Sequence, residues 1–210
     1  MPSRIENPAL FICDIQEKFR GAIWEFPKVI STTQKMVKAA KILNIPIYTT
    51  TQNASRLGAT VAEISSLFPD SHKTEIDKTA FSMMVPQLTQ SLLSQSQADP
   101  SSTAAAPHKP VNVIIVGIET HICVTQTALD LLSMGHKVYV LADGVSSCNA
   151  GERPIALQRL AREGATVTTS ESLLFELVGD AGSANFKAIS GLVKETKEET
   201  KGAVETFCKL

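Results

Sequence analysis

A thiol, a carboxylate, a lysine and an imidazole in this 210-residue chain could do covalent chemistry if the fold gathered them. Cys123 lies in Gly117-Ile118-Glu119-Thr120-His121-Ile122-Cys123-Val124, where an apolar run ends and a helical pattern begins. That spacing predicts a strand, a tight bend, and Cys123 in or near the first helical turn. Unpaired N–H groups and the positive end of a helix dipole favour a thiolate in such a place. The same N–H groups can hold an oxyanion. Free cysteine is also among the most buried residue types, so local sequence leaves Cys123 open between nucleophile and inert core thiol.

Asp14 ends the first apolar run, Ala9-Leu10-Phe11-Ile12-Cys13. Cys13 precedes it, and strand alternation sends the Cys13 side chain to the opposite face. Lys78, in Asp77-Lys78-Thr79-Ala80-Phe81, reads from its own neighbourhood as a surface lysine. His121 stands two positions before Cys123, about 200° around a helix, so the two side chains diverge. Cys148 reads as a loop or helix-entry thiol and Cys208 as an exposed one near the end. Metal spacings of the HxxxH or DxH kind are absent, as are GxGxxG, GxxxxGK[ST] and the GxSxG elbow.

The elements that must position these residues follow from periodicity. Residues 9–14, 45–49, 111–116, 138–142 and 166–168 read as strands, most of them as continuous apolar runs. Helical spacing appears from 27 to 43, 84–94, 121–134, 151–163, 172–178 and 186–194. Alternating strands and helices with short connections predict one doubly wound α/β domain, a three-layer Rossmann-like fold with a mostly parallel sheet. In such sheets ligands bind beyond the carboxyl ends of the strands, which is where Asp14 and the turn after Gly117 fall. The domain is expected to span 1–198, with 94–110 a flexible insertion of small and polar residues and 199–210 a solvated C-terminal tail.

Composition narrows the function classes. Twenty basic residues against 21 acidic ones leave a formal charge of −1, without the basic footprint that nucleic acid or an anionic membrane requires. No apolar run approaches the roughly 20 residues of a membrane span. The four cysteines are scattered and form no CxxC pair, which suits free thiols in a reducing, cytoplasmic compartment.

Taken together, Asp14-Ile15-Gln16-Glu17-Lys18-Phe19, Lys78 before Phe81-Ser82, and Gly117 through Val124 resemble the isochorismatase-like cysteine hydrolases. Thr169-Ser170-Glu171 and Leu177-Val178-Gly179-Asp180-Ala181 extend the likeness to the eukaryotic isochorismatase domain-containing proteins. The resemblance implies a catalytic triad: Cys123 as nucleophile, Asp14 as proton acceptor and donor, and Lys78 holding both in place. It further implies an oxyanion hole from the backbone N–H groups of Glu119 and Cys123, beside a cis Ile118–Glu119 peptide. Phe19 would be a pocket wall, with Trp24, Asn53 and Phe81 around the substrate.

The expected substrate is a small molecule with an amide or carbamoyl C–N bond, cleaved through an acyl-thioester, and the chain is expected to form a homo-oligomer. The stretch Thr49-Thr50-Thr51-Gln52-Asn53-Ala54-Ser55 lacks the ligands with which nicotinamidases of the superfamily hold a metal. Neither a metal nor another cofactor is therefore expected. Two other classes stay open: a non-catalytic oligomeric scaffold that keeps the fold, and a thiol redox protein using Cys123.

Overall fold

The computed structural model describes residues 5–68, 75–96 and 109–209. Residues 97–108 of the expected insertion lie outside them. Six strands form one sheet: β1 (Pro8–Cys13), β2 (Ile47–Gln52), β3 (Glu75–Lys78), β4 (Asn112–Ile118), β5 (Lys137–Ser146) and β6 (Thr166–Thr168). Their order is β3-β2-β1-β4-β5-β6, and every pairing is parallel. The helices are α1 (Phe26–Leu43), α2 (Ala54–Leu57), α3 (Ala62–Ser65), α4 (Pro86–Ser96), α5 (Thr125–Ser133), α6 (Glu152–Arg162), α7 (Ser170–Val178), α8 (Phe186–Glu195) and α9 (Lys197–Phe207). The sheet order reverses between β1 and β4, which opens a crevice at their carboxyl ends, the usual ligand position in this architecture.

A parallel sheet buried on both faces needs apolar residues in both phases of the alternation. The central strands supply them. Leu10 and Ile12 of β1 join Ile114, Val116 and Ile118 of β4 in one core, packed by α1, α7, α8 and α9. Ala9, Phe11 and Cys13 join Val113 and Ile115 in the other, packed by α4, α5 and α6. All seven residues of β4 are buried. Helix α1 ends at Asn44, whose left-handed backbone returns its N–H to the Ala40 carbonyl.

Three elements differ from the sequence reading. Residues 75–78, within a stretch of no clear periodicity, form edge strand β3 because Glu75–Lys78 pairs with Thr49–Gln52 of β2. Strand β5 continues past 142 to Ser146, so Asp143 lies inside it rather than at its end. The tail expected from 199 carries most of α9, which is packed: Thr200, Ala203 and Phe207 are buried. Ala203 and Phe207 enter the α1-side core, Lys35 of α1 donates to Thr200 Oγ1 at 2.7 Å, and a buried cation holds the end of the helix. Arg153 of α6 donates from Nε to the Val145 carbonyl at 2.8 Å, from Nη1 to the Phe207 carbonyl at 3.0 Å, and from Nη2 to the Ala142 carbonyl. Its guanidinium also lies 4.4 Å from the Phe207 ring centroid. Glu/Lys-rich composition marked the exposed face of this helix and hid the buried one.

One close approach brings β1 and β4 together. Gly117 pairs in register with Cys13 and has φ +120°; a Cβ there would sit 2.1 Å from the Cys13 carbonyl oxygen. Only glycine fits.

Two expected outcomes follow from this packing. Gly117→Ala should lower stability by about 3 kcal/mol or more, or abolish folding, because backbone must move on both strands; urea unfolding checks it. Arg153→Met should cost about 3 kcal/mol, since buried carbonyls lose their donor. In that variant, hydrogen exchange should quicken first along α9.

Candidate active site

The site lies at the carboxyl edge of the sheet, across the β1–β4 crevice. Immediately after β1, Asp14 adopts a left-handed backbone with φ +53°. Alternation applies to extended residues, and this one departs from it. The carboxylate therefore swings back toward Cys13, whose Sγ lies 3.6 Å from Asp14 Oδ2. The expectation that Cys13 and Asp14 occupy opposite faces is thereby corrected.

Asp14 is buried, as is Lys78 at the end of β3, and their Oδ2 and Nζ are 2.7 Å apart. The neighbourhood reading of Lys78 as a surface residue fails for the same reason: the edge strand carries its ammonium inward. Lys78 Nζ also donates to Gln52 Oε1 at 2.7 Å and lies 3.2 and 3.1 Å from the Ala80 and Phe81 carbonyls. Asp14 Oδ1 accepts from Thr50 Oγ1 at 2.8 Å. Buried charges are tolerated when paired and hydrogen-bonded in this way.

Gln16 ties the surrounding loop to β2. Its Oε1 accepts from the Gln52 N–H at 2.7 Å, and its Nε2 donates to the Gln52 and Gly58 carbonyls at 3.1 and 2.7 Å. Cys13, Thr50 and Gln52 went unremarked as site residues in the sequence. The signal for Thr50 and Gln52 is their place in β2 beside the end of β1.

Across the crevice, β4 leads through a cis Ile118–Glu119 peptide into a single π-helical turn, Thr120–Val124, continuous with α5. Local π-helical turns often occur at functional sites. This one carries Cys123, which is 7% exposed. The Cys123 carbonyl accepts from Thr127 Oγ1 at 2.6 Å, and Thr127 Oγ1 in turn accepts from the Met83 N–H at 2.9 Å. Cys13 and Cys123 are packed in the same buried cluster, and polar contacts run from Cys13 through Asp14 to Lys78. Burial first, then the neighbouring Cys123 side chain and the Asp14 charge, push the Cys13 thiol well above its ordinary range.

The surrounding residues divide. Phe81 is 51% exposed, and its carbonyl faces Lys78. Phe19, in a short 3-10 turn (Glu17–Phe19), is partly buried against the α1-side core. Asn53 has a left-handed backbone, donates its N–H to the Lys78 carbonyl at 2.9 Å, and accepts from Ser55 Oγ at 2.8 Å. Trp24 packs edge-on against Phe207 at 5.2 Å, so its ring is engaged with α9. His121 does turn away from the thiol chemistry: its Nδ1 lies 3.0 Å from Ser147 Oγ. Cys148 is exposed, and its thiol is pushed up chiefly by a hydrogen bond with Glu119. Cys208 is half-buried rather than exposed, because α9 packs, and burial raises it too.

Known proteins share this architecture and sequence. The secreted isochorismatase effector Isc1 of Phytophthora sojae is 46% identical over 190 residues, covering 90% of this chain and 85% of the effector. Mouse isochorismatase domain-containing protein 2A is 40% identical over 190 residues, covering 90% and 84%. A solved structure described as MAR1 ribonuclease from Caenorhabditis elegans superposes with a TM-score of 0.80 at 38% identity, covering 92% and 93%. Residues 8–172 match the isochorismatase domain. A parallel α/β sheet of this order, and sequence likeness running through nearly the whole chain, have one reading: the protein belongs to the isochorismatase family of hydrolases.

Proposed function

We propose that the protein is a metal-independent cysteine hydrolase that cleaves a small amide or carbamoyl C–N bond. The observation that carries this reading is the buried Asp14–Lys78 pair, with Cys13 beside the carboxylate and packed in one core with Cys123. A carboxylate held beside a lysine, in a dry crevice with a thiol, is a proton relay of the kind that general acid–base catalysis uses.

In this mechanism Cys123 Sγ attacks the carbonyl carbon while its proton passes to Asp14. The oxyanion is held by the backbone N–H groups of Glu119 and Cys123. Asp14 then gives the proton to the departing nitrogen, the C–N bond breaks, and an acyl-thioester remains on Cys123. Water attacks the thioester, Asp14 takes its proton, and the thiol re-forms as the acid leaves. Lys78 holds Asp14 in place through each proton transfer. Phe19, Asn53 and Phe81 border the substrate, and Trp24 backs the wall from α9.

A ribonuclease reading, the description borne by the nematode structure, fits this chain less well. Its formal charge is −1, and Lys78 is already engaged by Asp14, Gln52 and two carbonyls. A polyanion would find little here to neutralise it. Free thiols at all four cysteines support a reducing compartment such as the cytoplasm, and among the described residues no helix is long and apolar enough to cross a membrane. The chain is further proposed to form a homo-oligomer.

Screening small primary amides and carbamoyl compounds, with RNA in parallel, tests the reading. On any C–N substrate found, Cys123→Ala should reduce turnover to background, and Asp14→Asn should slow it by about 10²–10⁴-fold. Lys78→Met should lose activity and also about 3–5 kcal/mol of stability, because a buried carboxylate is left unpaired. Equal rates for wild type and Cys123→Ala, or RNA cleavage that depends on Cys123, would overturn the proposal. Light scattering on purified protein should give a mass above the 22.6 kDa of one chain; a monomer at micromolar concentration would exclude the homo-oligomer.

A further inference from the structure

Outside the crevice chemistry, two turns of the same sheet edge bring together three side chains that the hydrolytic reading does not use. Glu119 and His121 come from the turn after β4, and Cys148 from the turn after β5. One ligating atom of each, a carboxylate oxygen, a ring nitrogen and a thiol sulfur, lies within 4.8 Å of both others. We propose that Glu119, His121 and Cys148 form a binding site for a borderline-soft divalent cation of the zinc class, linking the two turns. This goes beyond the hydrolase reading and does not rest on it, since the ion takes no part in the proposed steps.

The donor set is the first argument. Thiolate, imidazole and carboxylate are the three protein ligand types that zinc takes, and three protein ligands leave a fourth position for water. Calcium and magnesium prefer oxygen alone. Here Glu119 and His121 side chains are 18% and 23% exposed, and Cys148 is exposed, so the fourth position faces solvent.

Geometry is the second. Metal–ligand bonds of about 2.0–2.3 Å in a tetrahedron place the ligating atoms about 3.3–3.8 Å apart. His121 Nδ1 and Glu119 Oε2 are 3.9 Å apart and no pair of ligating atoms is more than 4.8 Å apart, so closing on an ion draws the ligands in by up to about 1.5 Å. The Cys148 N–H donates to Glu119 Oε2 at 2.8 Å and fixes the carboxylate from behind. His121 Nδ1 lies 3.0 Å from Ser147 Oγ and exchanges that contact for the ion, while the Ser147 carbonyl accepts from the Trp24 N–H at 3.0 Å. Partners of this kind set ligand orientation in metal sites.

Binding a divalent ion takes the thiolate form of Cys148, so S–M and O–M bonds form as one thiol proton leaves to solvent, and affinity should rise with pH. Spacing within one segment of sequence does not show such a site, because Cys148 stands far along the chain from Glu119 and His121.

Cobalt(II) titration of chelator-treated full-length protein tests the site, because thiolate-bound cobalt absorbs in the near ultraviolet and tetrahedral cobalt in the visible. The expected result is a saturable one-equivalent spectrum with both bands, bleached by added zinc, which binds such sites more tightly than cobalt. Cys148→Ser should remove the thiolate band, while Cys123→Ala and Cys13→Ala should keep it. His121→Ala should weaken cobalt binding by at least about tenfold, the scale seen even for lesser, outer partners. Absence of a thiolate band in wild type, or its persistence in Cys148→Ser, would overturn the proposal. These readouts do not involve turnover, so the site can fail while the hydrolase reading stands, or the reverse.

Discussion

Two opposite charges with almost no access to water organise the functional edge of this protein. Asp14 and Lys78 side chains are 1% and 0% exposed, and their 2.7 Å contact offsets a desolvation cost that neither could bear alone. The pair is stable only if its remaining bonding capacity is met. Thr50 meets it on the carboxylate side, and Gln52 with the Ala80 and Phe81 carbonyls on the ammonium side. Those partners come from β2 and from the turn after β3, so satisfying one ion pair fixes the ends of three strands and the segment carrying Phe81. Gln16 extends the same constraint to the loop at Gly58.

The other half of the site depends on sterics rather than charge. Gly117 lets β4 run against the backbone of Cys13, and the chain then turns through a π-helical segment to present Cys123. Because β1 and β4 are adjacent although β2, β3 and α1 to α4 lie between them in sequence, the reversal of strand order sets the thiol opposite the carboxylate. Cys13 touches Asp14 and packs in one core with Cys123, so it lies between the two halves. Burial pushes its thiol well above the ordinary range, so it adds no third charge to the crevice.

The same edge continues beyond β4 to β5, where a different logic applies. Arg153 is buried but has no carboxylate among the hydrogen-bond partners described; carbonyls and an aromatic face satisfy it. It fastens α9, on whose Phe207 the Trp24 ring rests. The Glu119, His121 and Cys148 cluster lies at the more open end of this edge, where groups are close but not enclosed. Rigid pairing at β1–β3 and open polar grouping at β4–β5 thus share one sheet edge.

The sequence by itself determined the fold class. Continuous apolar runs such as Val111 to Val116 require a sheet buried on both faces, and helical spacing between them requires parallel crossovers. It also placed Asp14 and the Cys123 turn at strand ends, because periodicity shows where elements stop. The roles proposed for Lys78, Glu119 and the rest came from family resemblance, since nothing local distinguishes a buried lysine from a surface one. Only the tertiary structure decided the remainder. β3 exists because β2 offers it an edge to pair with. Cys13 reaches the site because Asp14 leaves the extended backbone, which no period of two can announce. α9 packs because Ala203 and Phe207 meet the α1-side core and a distant arginine binds the Phe207 carbonyl. Each is a contact between residues far apart in sequence, whose energy appears only when the chain has already folded.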